Sequence, residues 1–278
     1  MNYIAEISRA NPACILFLLD QSGSMSEGFC LPGEPPISKA VGVSMAINRL
    51  IAEFVVQSTR GAEVYDHLHV GVITYGGEGV GHPPHFNGLR GLAEVAETPL
   101  RVETRTQEAF DGAGGIIRKE IQVPVWFDPQ AMGGTPMCQA MAMARTTIQS
   151  WSESHPGSFP PIIINITDGE ATDGDPLQAL MDIQSCGTQD GPALTFNVFL
   201  ADGHGRGSAY PSGSQHLPAG PLRSLVEGSS VLPEPMRRRA EDLGDGVRLV
   251  PGARGVLIQA GIVDLVRFLN IGSRPMMA

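Results

Sequence analysis

Asp20-Gln21-Ser22-Gly23-Ser24 sets a carboxylate and two hydroxyls on alternate positions of a short stretch. In a tight loop three such side chains converge on one point, and Gly23 lets the backbone turn sharply between the hydroxyls. All three are hard oxygen donors, suited to Mg²⁺ or Mn²⁺ and unsuited to Zn²⁺. Two further oxygens lie far along the chain. One is Thr135, in Gly133-Gly134-Thr135-Pro136, and the other is Asp168, in Thr167-Asp168-Gly169-Glu170. Taken singly, each has a plain structural reading: Ser22 and Ser24 as loop or capping residues, Thr135 as a helix N-cap, Asp168 as a turn residue. Their joint order behind separate apolar runs favours a metal site.

The elements that must position these residues can be read from hydrophobic patterning. Residues 13–19 (ACILFLL) form a continuous apolar run, as expected of a strand covered on both faces. Residues 38–57 place Val43, Ile47, Leu50 and Phe54 on one helical face. Residues 67–75 read as a second strand. Met137, Met141, Ala144, Ile148 and Trp151 mark another helix face, with Thr135 expected as N-cap and Pro136 as first helical residue. Residues 161–167 (PIIINIT) read as a third strand, followed by Asp175 as N-cap of a helix over 176–185. Residues 194–200 and 255–259 read as two more strands, and a last helix runs through Ile262, Leu265, Val266 and Leu269. Strands alternating with helices predict an α/β, Rossmann-like fold: a mostly parallel central sheet flanked by helices on both faces. Sites in such sheets lie outside the carboxyl ends of the strands, where Asp20 and Asp168 fall.

Two stretches break the alternation. Residues 76–134 contain a short helical pattern at 92–97. They also hold two period-2 runs, 101–107 and 116–127, joined by Asp111-Gly112-Ala113-Gly114-Gly115, which predicts a β-hairpin insertion. Residues 201–234 are rich in Gly, Ser and Pro and read as an ordered loop or lid. The glycine-rich stretch 77–81 also reads as a loop. A single domain over 12–270, with terminal tails at 1–11 and 271–278, is the expected organisation.

Length and composition bound the function. At 278 residues and 42% hydrophobic, the chain has enough apolar side chain for a real core. A formal charge of −10 argues against nucleic acid and against an anionic membrane as partner. No apolar run reaches the roughly 20 residues of a membrane span. The N-terminus lacks the basic start of a secretory leader, so the expected location is cytoplasmic. Cys14, Cys30, Cys138 and Cys186 show no C-x-x-C pair or regular framework and are expected to be plain thiols.

The D-x-S-x-S stretch, the Gly-Gly-Thr loop and the strand–Thr-Asp-Gly stretch together resemble the metal-ion-dependent adhesion site of von Willebrand factor A (VWA) domains. The match is residue by residue at Asp20, Ser22, Ser24, Thr135 and Asp168, and the resemblance covers roughly residues 12–270. It implies Ser22 and Ser24 as direct metal ligands. It implies Thr135, Asp20 and Asp168 as ligands either directly or through water. The implied ion is Mg²⁺, with Mn²⁺ or Ca²⁺ as alternatives, and the remaining coordination position belongs to an acidic group of a partner. The insertion at 76–134 departs from the common pattern. More narrowly, Gly134-Thr135-Pro136-Met137 with Ile166-Thr167-Asp168-Gly169-Glu170 resembles stand-alone bacterial cytoplasmic VWA proteins of the tellurite-resistance (TerY-like) type. That resemblance implies association with a PP2C-type phosphatase and a protein kinase.

Other chemistry-bearing residues have simpler readings. Asp173 and Asp175, with Glu170, could rim a second cation site, but capping and turn roles are the simpler expectation. His67 and His69 share a strand face and read as strand-edge imidazoles. His82-Pro83-Pro84-His85 reads as a rigid loop. Arg237-Arg238-Arg239 reads as a solvated helix face, with a phosphate or acidic-peptide contact as the alternative. Trp126 and Phe127 read as core, with an aromatic contact beside the metal as the alternative. There is no P-loop and no G-x-S-x-G elbow. The expectation is a non-enzymatic, metal-dependent protein–protein interaction module, an adaptor in bacterial signalling or stress response, monomeric when alone. The alternatives are a scaffold with the metal as a loop staple, or a metal-dependent phosphohydrolase with Asp20 as nucleophile.

Overall fold

The apolar run at residues 13–19 extends into the central strand β1, Ala13–Gln21, buried along all but its last residue. The computed structural model describes residues 3–29, 36–77, 79–84, 86–110, 116–200, 208–215, 217–243, 248–260 and 262–272. After β1 come α1 (Lys39–Ser58), β2 (Leu68–Gly76), β3 (Gly79–Gly81), β4 (Arg90–Gly91) and α2 (Leu92–Glu97). The hairpin strands are β5 (Arg101–Phe110) and β6 (Ile116–Val125). Then follow α3 (Met137–Ser154), β7 (Ile162–Thr167), α4 (Pro176–Gln184), β8 (Leu194–Leu200) and β9 (Ser208–Ala209). The chain closes with α5 (Pro221–Gly228), α6 (Glu234–Leu243), β10 (Val256–Ala260) and α7 (Ile262–Gly272).

The main sheet has the order β9-β10-β8-β7-β1-β2-β3, with β4 also paired to β2. Its five inner strands are parallel, and the short outer strands β3, β4 and β9 run antiparallel to their neighbours. Numbered along the chain, the parallel strands stand in the spatial order 2-1-3-4-5. The chain steps outward from β1 to β2, then crosses back to β7 and builds away on the other side. Connections leave in opposite directions at β1 and β7, so a crevice opens between their carboxyl ends. Asp20 lies near the end of β1 and Asp168 directly after β7, at the two sides of that crevice.

Alternation along β1 divides the core. Ile15, Phe17 and Leu19 point into the layer of α1 and α7, where Val43, Ile47, Leu50 and Phe54 are buried. Leu16 and Leu18 point to the other face, against Met137, Met141, Ala144 and Ile148 of α3. Both predicted helix faces therefore meet the sheet they were patterned for. α1 is the one helix among the described residues long and apolar enough to cross a membrane, and its apolar side is covered by the sheet.

Three local expectations are corrected. The helix after Gly134 begins at Met137, with Pro136 at the cap and Thr135 outside it. Pro136 sits at φ −75°, ψ 61°, so the chain enters the helix one residue later than a proline-first start requires. The glycine-rich 77–81 stretch is not only a loop, because Gly79–Gly81 pairs with the end of β2. The 201–234 stretch is not simply a lid: it carries β9 and α5, whose Leu225 and Val226 are buried. The hairpin is present as expected, its strands pairing, among the described residues, only with each other, while residues 111–115 lie outside the described residues.

Candidate metal centre

Asp20 stands near the end of β1, paired in register with Tyr75 of β2. It is 2% exposed, so its carboxylate must find its partners within the protein. Oδ1 accepts the Ser22 amide at 2.8 Å and Oδ2 accepts the Thr167 hydroxyl at 2.5 Å. Burial pushes the Asp20 carboxyl above its ordinary value; the two hydrogen bonds oppose that, and the Asp168 charge adds to it. The same burial, with the Asp20 charge next, raises the Tyr75 phenol well above its ordinary value. That phenol donates instead to Asn165 Oδ1 at 2.7 Å.

After β1 the chain turns through a short 3-10 turn, Gly23–Ser26. The turn presents two hydroxyls together, Ser22 Oγ and Ser24 Oγ at 3.1 Å. Ser24 Oγ in turn donates to Asp168 Oδ1 at 2.7 Å. Ser22 is buried and Ser24 is half-buried, so the outer hydroxyl is the one nearer solvent.

Thr135 arrives from the third loop. Its amide donates to Thr172 Oγ1 at 3.0 Å and its carbonyl accepts the Thr172 amide at 2.9 Å, which clamps this loop to the one after Asp168. A methyl placed at Gly169 would lie 3.7 Å from both Ser24 Oγ and Thr135 Oγ1. The two hydroxyls thus face the same small space beside Gly169. A further backbone lattice holds the loops together: Gly23 N–H to Gly133 O at 3.0 Å, and Met132 N–H to Gln21 O at 2.8 Å. Gly76 completes it, because at φ +124° any Cβ would meet the Gln21 backbone at 2.5 Å.

All five residues singled out from the sequence therefore lie at one end of the sheet. Asp20, Ser22, Ser24 and Asp168 form one hydrogen-bonded chain, with Thr135 alongside. Among the described residues, no three His, Cys, Asp or Glu side chains come together as a metal-binding group. The donors here are instead two carboxylates with hydroxyls, an oxygen-only set whose chemistry fits a hard divalent cation.

Lys39 was not visible as a site residue in the sequence. Its Nζ lies 2.9 Å from Asp168 Oδ2 and 3.1 Å from Glu27 Oε2. The Lys39 and Asp168 side chains are 3% and 0% exposed, whereas Glu27 is 57% exposed at the rim. The available signal was positional: a lysine as the first residue of a helix, where the helix dipole disfavours a cation. Thr167 and Thr172 were also missed. Isolated threonines beside a motif have no spacing pattern of their own.

The remaining candidates resolve into structural roles. Asp173 accepts from the Cys138 and Gln139 amides at 3.0 and 2.9 Å, capping α3. Burial, then the Asp173 charge, pushes the Cys138 thiol up to about 11. Asp175 caps α4 through the Leu177 amide, as expected. Arg237 and Arg238 pair with Glu234 and Glu241 along α6. Trp126 and Phe127 are buried, and Trp126 Nε1 donates to Val95 O at 2.7 Å. His69 accepts from Trp151 Nε1 at 2.8 Å and sits edge-on to His155. His82 bonds the Val72 carbonyl, while Cys30 and His85 lie outside the described residues.

A groove of about 550 Å³ adjoins the site, lined by Gln21, Thr74, Gly76, His82, Asp128 and Gln130 among others. A larger one, about 890 Å³, lies between α1 and the hairpin.

No family model and no curated protein matches the chain. Among solved structures it is similar to proximal thread matrix protein 1 from the mussel byssus, with a TM-score of 0.43 and 15% identity over 80% of this chain and 42% of that one. It is also similar to the vWF domain of the type V pili tip protein Mfa5 from Porphyromonas gingivalis, with a TM-score of 0.32 and 15% identity over 58% and 39%. A third, a membrane spanning protein from Vibrio fischeri, matches with a TM-score of 0.26 and 15% identity over 67% and 71%. The chain thus spans less than half the length of the first two.

Proposed function

We propose that this chain is a metal-dependent protein-interaction module. In this reading Asp20, Ser22, Ser24, Thr135 and Asp168 hold a Mg²⁺ ion, with Mn²⁺ or Ca²⁺ as alternatives, directly or through water. The supporting observation is the meeting of oxygens from three separate loops at the crevice where strand connections diverge, with Ser22, Ser24 and Asp168 linked by contacts of 3.1 and 2.7 Å. A bound Mg²⁺ supplies a Lewis-acidic position for a carboxylate or phosphate oxygen of a partner protein.

The chain's own residues preset that position. Thr167 and the Ser22 amide fix the Asp20 carboxylate. Thr172 fixes the Thr135 loop. Gly169 leaves free the space that a side chain would fill. The half-buried Ser24 leaves an approach from solvent, and the neighbouring groove offers a surface to residues flanking the acidic group.

A binding role fits better than a phosphohydrolase using Asp20. Ser22, two residues on, holds the place where a second carboxylate would act as general acid. Lys39 is engaged by Asp168 and Glu27 rather than presented to solvent. A PP2C-type phosphatase and a protein kinase are the partners implied by the resemblance, and a cytoplasmic, monomeric adaptor in signalling or stress response is the corresponding setting.

The test is affinity capture from lysate with Mg²⁺, with EDTA, and with Asp20→Ala, read by mass spectrometry. A partner present only in the first arm is the expected result. An identical protein list in all three arms would reduce the site to a loop staple.

A further inference from the structure

The chain carries two lysines against seventeen arginines, and their environments are opposite. Lys119 is exposed on the hairpin, and Lys39 is 2% exposed beside the candidate metal site. Nothing in α1 asks for a cation at its first residue: the dipole opposes it, and the neighbouring helix residues supply the core contacts. An ammonium is also a compact point charge, unlike the broad guanidinium fork used elsewhere in this chain. Lys39 is held by Asp168 and Glu27 through its ammonium, and by its own amide, which donates to Glu27 O at 3.0 Å.

We infer that Lys39 is a tethered cation that competes with divalent metal for Asp168, and that Glu27 receives its ammonium when metal enters. This rests on the metal-site reading above. Asp168 has both oxygens engaged, Oδ1 by Ser24 and Oδ2 by Lys39. A metal ion drawing on Asp168 must therefore share or displace one of those partners. The ammonium also offsets one of the two buried carboxylate charges, so a divalent ion arrives at a site carrying a net −1 rather than −2 from Asp20, Asp168 and Lys39. Glu27 already lies 3.1 Å from Nζ, so the ammonium can leave Asp168 without losing a carboxylate partner. Lys39 fixes the threshold of metal concentration at which the site becomes competent for a partner.

The probe is Mg²⁺ alone, titrated calorimetrically into the full chain. Lys39→Gln keeps an N–H donor for Asp168 and removes the charge; Lys39→Arg keeps the charge. Lys39→Gln should bind Mg²⁺ at least about tenfold more tightly than the wild type, as removal of a like charge a few ångströms away requires, with Lys39→Arg close to wild type. Glu27→Gln, at an exposed position that does not threaten the core, should weaken Mg²⁺ binding in the wild-type background and not in Lys39→Gln.

If the wild type shows no binding while Lys39→Gln binds, the competition stands and the metal-loaded wild type does not. Equal affinities of wild type and Lys39→Gln overturn the competition and leave the metal site intact. Absence of binding in every variant overturns both. An unchanged affinity in Glu27→Gln overturns the receiving role of Glu27.

Discussion

At the residue scale, the site depends on how each buried oxygen is satisfied. Asp20 remains in a dry position because a hydroxyl and an amide each take one of its oxygens. Asp168 does the same with a hydroxyl and an ammonium. The motif residues were legible because alternate spacing in a loop is itself a geometric statement. Lys39, Thr167 and Thr172 were not, because each acts across a gap in sequence that only the assembled sheet closes.

A second residue-scale feature lies at the His69 position near the start of β2. His69 Nδ1 accepts the Trp151 indole N–H at 2.8 Å, which requires an unprotonated nitrogen. Burial, then the neighbouring His155, holds this imidazole below its ordinary value of 6.5, with Asp66 pulling the other way. The folded state therefore favours neutral His69, and the unfolded chain binds the proton more readily. The resulting stability is complete above about pH 6.5 and is lost as pH falls through the folded value. Melting followed by tryptophan fluorescence from about pH 7.5 to about pH 5 should show a shallower decline in His69→Gln than in the wild type. Parallel curves would remove His69 from the account.

At the element scale, helix starts carry the loops that carry the site. α3 takes its N-terminal cap from Asp173, thirty-five residues from Cys138, rather than from Thr135 next to it. Local sequence could not reveal that, since the capping side chain comes from the loop after β7. The arrangement leaves the Thr135 hydroxyl beside Gly169 instead of spending it on the helix. Asp173→Ala should cost about 0.5–2 kcal/mol by uncapping α3. For a chain of this size, at roughly 2–4 °C per kcal/mol, that is a fall of about 1–8 °C in melting temperature. An unchanged Tm would mean that water replaces the cap without loss. α5 escaped the sequence reading for a different reason: eight residues bounded by proline and glycine resemble loop composition, and only the burial of Leu225 and Val226 marks the helix.

At the scale of the whole molecule, the strand order decides where chemistry can sit. The continuous apolar strands and the two helix faces were legible because both periodicities are set by burial, and their boundaries agree to within a residue or two. The order 2-1-3-4-5 was not legible, since it is a property of pairing between distant strands. It places Asp20 near the end of β1 and Asp168 directly after β7, the two strands that flank the crevice. Among the described residues the hairpin β5–β6 pairs with no other strand, and it shares a groove with α1. An acidic chain of charge −10 also favours attraction of a divalent cation over an anionic surface.

The most direct measurement is the melting temperature of the purified chain as a function of Mg²⁺ concentration, in the wild type and in Asp20→Ala. Binding to the folded state alone should raise stability by about 2.7 kcal/mol at a hundredfold excess over the dissociation constant. The account expects a rise in Tm that grows with Mg²⁺ in the wild type and vanishes in Asp20→Ala. A wild type that melts identically in Mg²⁺ and in EDTA, or an Asp20→Ala variant stabilised as much as the wild type, would contradict it.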